Sequence, residues 1–172
     1  MNTHLSTCVL ITLGSLTLPI KTATIFGFLM LQHELEAIPM ETDLLLIKTG
    51  YVSFRKSNDY LERGKYTFQG PGISPDIWKW LRRFRDLLSI GFYFISLNSY
   101  QHREIGRVAH QSFLGEGVGQ PILIIGDVNL EQLQTRPKNV VSIPLLYEKA
   151  DCAPNTIIAV SYTHLRAHET RG

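Results

Sequence analysis

The chain has 172 residues, 44% hydrophobic and 19% charged, with 8 Pro and 13 Gly. That is long enough to bury a core and too apolar for a disordered tail or a collagen-like fibre. Seventeen Lys and Arg against fifteen Asp and Glu leave a net charge of +2, which supplies no field for nucleic acid or an anionic membrane. Two cysteines, Cys8 and Cys152, exclude a disulfide framework, and both read as small buried residues.

Between Met1 and His33 the only formally charged side chain is Lys21. A lysine in mid-segment and recurrent Thr, Ser and Gly argue against a membrane span over Val9–Leu31. Met1–His4 carries no Lys or Arg, which argues against a secretory leader. The expectation is a buried strand region in a cytoplasmic chain with no membrane partner. Thr22–Leu31, β-branched and aromatic, predicts a strand covered on both faces, and Asp43–Lys48 predicts another. From Tyr51 to Gly72 the pattern dissolves into Ser, Asn, Gly, Arg and Tyr, a long connection of the kind that carries binding surfaces.

Ser74-Pro75-Asp76 is a helix start: an N-cap serine, proline in the first turn, and an acid beside it. Ile77, Trp80 or Leu81, Phe84, Leu87 and Leu88 recur at helical spacing and predict a buried stripe. Lys79, Arg82, Arg83 and Arg85 fall largely outside it, as a solvated face. Ser89–Leu97 returns to strand character, Tyr100–Leu114 predicts a helix, and Pro121–Ile125 predicts a short apolar strand. Val128–Leu133 suits one or two helical turns, and Val140–Leu146 and Thr156–Val160 predict closing strands. Alternating strands and helices give an α/β layered domain with an at least partly parallel sheet. Residues 1–160 form one domain, of which 1–35 is atypical, and 161–172 is a non-native-looking tail.

Few residues carry chemistry on their own. Gly115-Glu116-Gly117-Val118-Gly119 lies after a helix and before a strand, the reverse of a phosphate cradle, and reads as a turn. No serine sits in a G-x-S-x-G elbow. His102 and His110 share a helix but lie about 80° apart around it, unlike an i, i+4 zinc pair. Gly106, one turn before His110, leaves room above the imidazole.

Several phrases in order carry a resemblance. These are Asp43-Leu-Leu-Leu-Ile-Lys-Thr-Gly50, Gly70-Pro-Gly-Ile-Ser-Pro75, Ile90-Gly-Phe-Tyr-Phe-Ile-Ser96, Ala109-His110, Pro121-Ile-Leu-Ile-Ile125 and Ala150-Asp-Cys-Ala-Pro154. Over roughly Glu36 to Val160 the series resembles the cyclase family of metal-dependent hydrolases, typified by bacterial kynurenine formamidase, an arylformamidase of tryptophan catabolism. The resemblance implies a swivelling β/α/β-type layered domain with a mixed sheet, and a homodimer. It also implies a divalent metal, zinc or manganese, activating water against a small-molecule amide or ester.

The family's N-terminal pattern, H-x-G-T-H-x-D-x-P-x-H, meets His4-Leu-Ser-Thr-Cys-Val-Leu-Ile-Thr-Leu-Gly14 here. His4 and Thr7 agree, while Cys8, Leu10 and Gly14 stand at a histidine, the aspartate and the proton-transfer histidine. Downstream, His110 matches the family histidine and Gly126 stands at the glutamate, with Asp127 beside it. The resemblance thus implies metal ligands His110, His4 and Cys8 in an impaired site, with no catalytic residue assigned. A non-catalytic relative acting through subunit association is the alternative. Val160–Thr170 looks like translated sequencing adaptor, so His164 and His168, though i, i+4, are given no role.

Overall fold

Runs of Leu, Ile and Val that cannot face water on either side pair into a sheet, and the pairing organises the molecule. A computed structural model describes residues 8–12, 25–26, 28–49, 51, 54–56, 58–82, 87–97, 99–114, 119–149 and 152–160, with the backbone alone for 8–12, 25–26, 28–30 and 62. The elements in order are β1 (Cys8–Thr12), β2 (Ile25–Phe26), α1 (Phe28–Glu36), β3 (Leu44–Lys48) and α2 (Tyr60–Phe68). There follow β4 (Gly72–Ile73), α3 (Pro75–Leu81), β5 (Ser89–Phe92), a 3-10 turn over Tyr100–His102, and α4 (Arg103–Leu114). β6 (Leu123–Ile125), β7 (Asn139–Pro144) and β8 (Asn155–Val160) close the described chain.

The principal sheet has the order β1-β3-β5-β6 and is parallel throughout, with Leu44 opposite both Cys8 and Ser89, and Ile90 opposite Ile124. Strands added in one direction by right-handed crossovers place their helices on one face. The core agrees: Leu45, Ile47, Ile90 and Phe92 pack with Leu31 and Leu35 of α1, Ile77, Trp78 and Leu81 of α3, and Ala109 and Phe113 of α4. Alternate residues turn the other way, as the period of two requires. Leu44 and Leu46 meet Tyr93 and Leu130, with Val128, Leu133 and Val140 partly buried against them. A Cβ on Gly91 would lie 2.7 Å from Leu46 Cδ2 and 3.4 Å from Val128 Cγ2, so the bare glycine leaves room for the Leu46 side chain under this second cover. β2 and β4 form a short parallel pair, and β7 and β8 an antiparallel one.

The α/β class and the parallel sheet match expectation; parallel and antiparallel pairing occur in separate sheets. Ser74 and Pro75 open α3 as predicted, and the helix over Tyr100–Leu114 is present as a 3-10 turn leading into α4. Five expectations need correction. Among the described residues of the run Thr22–Leu31, Ile25–Phe26 is strand but Phe28–Leu31 is already helix, because α1 begins at Phe28 and buries Leu31 and Leu35 one turn apart. The supposed connection Tyr51–Gly72 contains α2, whose first turn is capped by Asp59 accepting from Leu61 N at 2.8 Å. Gly64 in its middle, a poor helix former, obscures that helix in the sequence.

α3 stops at Leu81 and buries Trp78, with Trp80 only half-buried. Leu88 is 56% exposed, because its N–H bonds to Asp43 O on the approach to β5 and the chain there is no longer helical. Phe84, Arg83 and Arg85 lie outside the described residues. Val128–Leu133 shrinks to a single turn closed by Leu133 N–H to Leu130 O, since Val128 N–H already bonds Phe92 O beside the sheet. Cys152, expected to be buried, is exposed and free. No helix among the described residues is long and apolar enough to cross a membrane.

Candidate functional site

In an open parallel sheet, the carboxyl ends of the strands are where successive loops leave room for a ligand. β5 ends here in Tyr93–Ser96 and β6 in Gly126–Asp127, and α2 lies beside them through a hydrogen bond from Tyr66 to Asp127. A groove of about 650 Å³ opens along this side. One wall is Tyr66, Thr67, Gly70 and Pro71 from the end of α2 and the chain after it; the floor is Ile95 and Ser96; the other wall is Tyr100 with Arg103, Arg107 and His110 of α4.

α4 presents this wall beside the face that it commits to the core. Gly106, Ala109 and Phe113 are buried, and Phe113 meets Trp78 edge-on with centroids 4.4 Å apart. Arg103, Arg107 and His110 follow at i, i+4 and i+7, within about 60° of arc. His110 Nδ1 lies 3.0 Å from Gly106 O. A carbonyl only accepts, so Nδ1 carries the hydrogen and Nε2 of the neutral ring keeps its lone pair. The Arg103 guanidinium lies over the Tyr100 ring, 4.1 Å from its centroid. Arg107 has Glu104 at 3.7 Å, both side chains mostly in solvent, a weak pairing at that separation and exposure.

Behind Tyr66 lies a second set of contacts. Asp127, where the chain leaves the end of β6, has φ 55°, a left-handed conformation uncommon outside glycine. Its Oδ1 accepts from Tyr66 Oη at 2.6 Å and from Arg55 Nη1 at 2.8 Å. Burial pushes the Tyr66 phenol well above the ordinary tyrosine range, and the Asp127 carboxylate raises it further by accepting its proton and repelling the phenolate. Nearby, Tyr93 donates to Asn129 Oδ1 at 3.1 Å, and Lys48 Nζ donates to the carbonyls of Glu131 and Leu133 at 3.0 and 2.9 Å. Lys56 pairs with Glu131. These bonds tie the segment after β6 to the carboxyl ends of β3 and β5.

Of the ligands implied by the resemblance, His110 lines the groove. His4 lies outside the described residues, and Cys8 is placed by its backbone alone, opposite Leu44 on β1. At the glutamate position, a Cβ on Gly126 would stand 2.7 Å from Ile95 O, so this backbone has no room for a carboxylate side chain. No group of three His, Cys, Asp or Glu that could hold a metal ion occurs among the described residues. The donor set they offer is one imidazole flanked by two guanidiniums, which repel a dication. As far as the described residues go, it does not fit a zinc or manganese ion.

Tyr66, Arg103 and Arg107 were not singled out from the sequence. The 103-107-110 spacing within a predicted helix was the available signal; the Tyr66–Asp127 contact joins residues 61 apart and left none. Arg82, assigned to a solvated face, instead donates to Ser112 O and Gly119 O at 3.1 and 2.9 Å, joining α3 to the end of α4.

The fold and groove define a parallel α/β domain with a cationic, aromatic-walled cleft beside its strand ends. Comparison with protein-family models, curated proteins and solved structures found no match to this chain.

Proposed function

We propose that this chain is a cyclase-family, kynurenine-formamidase-like domain of the swivelling β/α/β type that takes a small amide or ester in the groove and hydrolyses it poorly. One observation carries the reading: His110, at the position the resemblance marks, lines the groove with Nδ1 held by Gly106 O. The fixed tautomer leaves Nε2 able to accept a proton or to hold water beside a bound carbonyl. The Tyr51–Gly72 segment supplies Tyr66, Thr67 and Gly70 to the same groove, which supports its expected part in substrate contact. Impairment follows from Gly126, where no carboxylate fits, and from the arginines beside His110.

The test is hydrolysis of N-formylkynurenine by purified protein, with and without added zinc or manganese. Slow hydrolysis lost in His110→Ala is expected. Robust turnover indifferent to His110 contradicts the reading.

A second reading, association without catalysis, is favoured by the β7–β8 pair. Val141, Ile143, Leu145 and Ile158 are each about half exposed there, and a lone two-stranded ribbon is marginal in water. A homodimer that Ile143→Glu converts to monomer, with no hydrolysis, is the outcome that selects it.

A further inference from the structure

Among the described residues that line the groove beside α4 none is acidic: Arg103, Arg107 and His110 stand on one wall, and Tyr66, Tyr100, Pro71 and Ile95 supply apolar surface. From this we infer that it is a binding site for an organic phosphate monoester, the dianion held by Arg103 and Arg107 and the organic group against Tyr66 and Tyr100. This goes beyond the hydrolytic reading and does not depend on it, because binding is measured without turnover.

Three features carry the assignment. The first is charge. Two guanidiniums one helical turn apart complement a dianion, whereas a carboxylate needs only one. The second is preorganisation. Stacking on Tyr100 fixes the plane of the Arg103 guanidinium and leaves its in-plane N–H groups to donate. Among the described residues, Arg107 is paired with the exposed and distant Glu104 carboxylate, which a phosphate readily displaces. The third feature is size. The volume of about 650 Å³ lies within the range of about 300–1,000 Å³ usual for small-molecule sites. It far exceeds a bare phosphate, and the remainder is walled by rings and a proline.

The experiment is calorimetric titration of the full chain with phenyl phosphate, inorganic phosphate, benzoate and phenol. Phenyl phosphate is expected to bind most tightly, about tenfold better than benzoate, and phenol not measurably. Arg103→Ala and Arg107→Ala should each weaken phenyl phosphate by about tenfold or more, the loss of a charge-assisted hydrogen bond. Both side chains are exposed, so both variants should keep the parent melting temperature, and the melt is recorded alongside. Arg107→Lys should retain part of the affinity, since it keeps the charge without the fork. Benzoate binding as tightly as phenyl phosphate, undiminished binding in the Arg103→Ala/Arg107→Ala double variant, or no saturable phenyl phosphate binding overturns the assignment.

Discussion

Tyr66 and Asp127 concentrate the chemistry of single residues in this molecule. The phenol is buried and donates to a carboxylate that also holds Arg55, so its proton is retained far longer in the folded chain than in the unfolded one. The sign follows from proton binding. Below the unfolded tyrosine pKa of about 10 both states hold the proton and the stabilisation is complete; above it only the folded state does, and stability falls as pH rises. A spectrophotometric titration of the parent minus Tyr66→Phe should therefore show no phenolate from this residue where ordinary tyrosines ionise. Asp127→Asn removes the carboxylate's contribution and should move the ionisation back toward the usual range. Gly126 offers a second test at this scale. A Cβ there meets the backbone carbonyl of Ile95, which cannot step aside, whereas at Gly91 it meets the end of the Leu46 side chain, which can. Gly126→Ala should cost about 1–3 kcal/mol in urea denaturation, and more than Gly91→Ala. Of these residues the resemblance reaches Gly91, Gly126 and Asp127, and no sequence pattern marks Arg55 or Tyr66. Arg55 and Tyr66 reach Asp127 across 72 and 61 residues, a pairing that no local pattern encodes.

At the scale of elements, the helices show where periodicity suffices and where it fails. α3 and α4 were legible because Ser74-Pro75-Asp76 starts one and the buried series Gly106, Ala109, Phe113 runs through the other. α2 was not, because Gly64 lowers its propensity and its role is to bring Tyr66 to Asp127 rather than to bury an apolar stripe. α1 was masked by the β-branched run before it. The α3–α4 contact turns on Trp78, which is buried against Phe113 with its indole N–H unpartnered among the described residues. Trp78→Ala should cost about 3–5 kcal/mol through lost burial and a cavity. Trp78→Phe should cost distinctly less, because it removes an unsatisfied donor along with the smaller volume. Equal losses in thermal or urea unfolding would contradict this account of the contact.

At the scale of the molecule, stability is unevenly distributed. Both faces of β3 and β5 are covered, so their amides should exchange with solvent only at the free energy of global unfolding. β7–β8 is a two-stranded ribbon with about half of Val141, Ile143 and Ile158 in water, and its amides should exchange at a far lower free energy in the monomer. The class of fold was legible because short apolar runs separated by helical patterns leave few arrangements. The groove was not, because its two walls come from elements on either side of β5 and meet only after the sheet forms. The account's central claim is that this cationic groove, with α4 as one wall, is the functional site. Its most direct test is a series of amide ¹H–¹⁵N spectra recorded as phenyl phosphate is added. Shifts should concentrate on Tyr66–Thr67, Gly70, Ile95–Ser96 and Tyr100–His110, and disappear in the Arg103→Ala/Arg107→Ala double variant; shifts confined to β7–β8, or spread evenly over the chain, would contradict it.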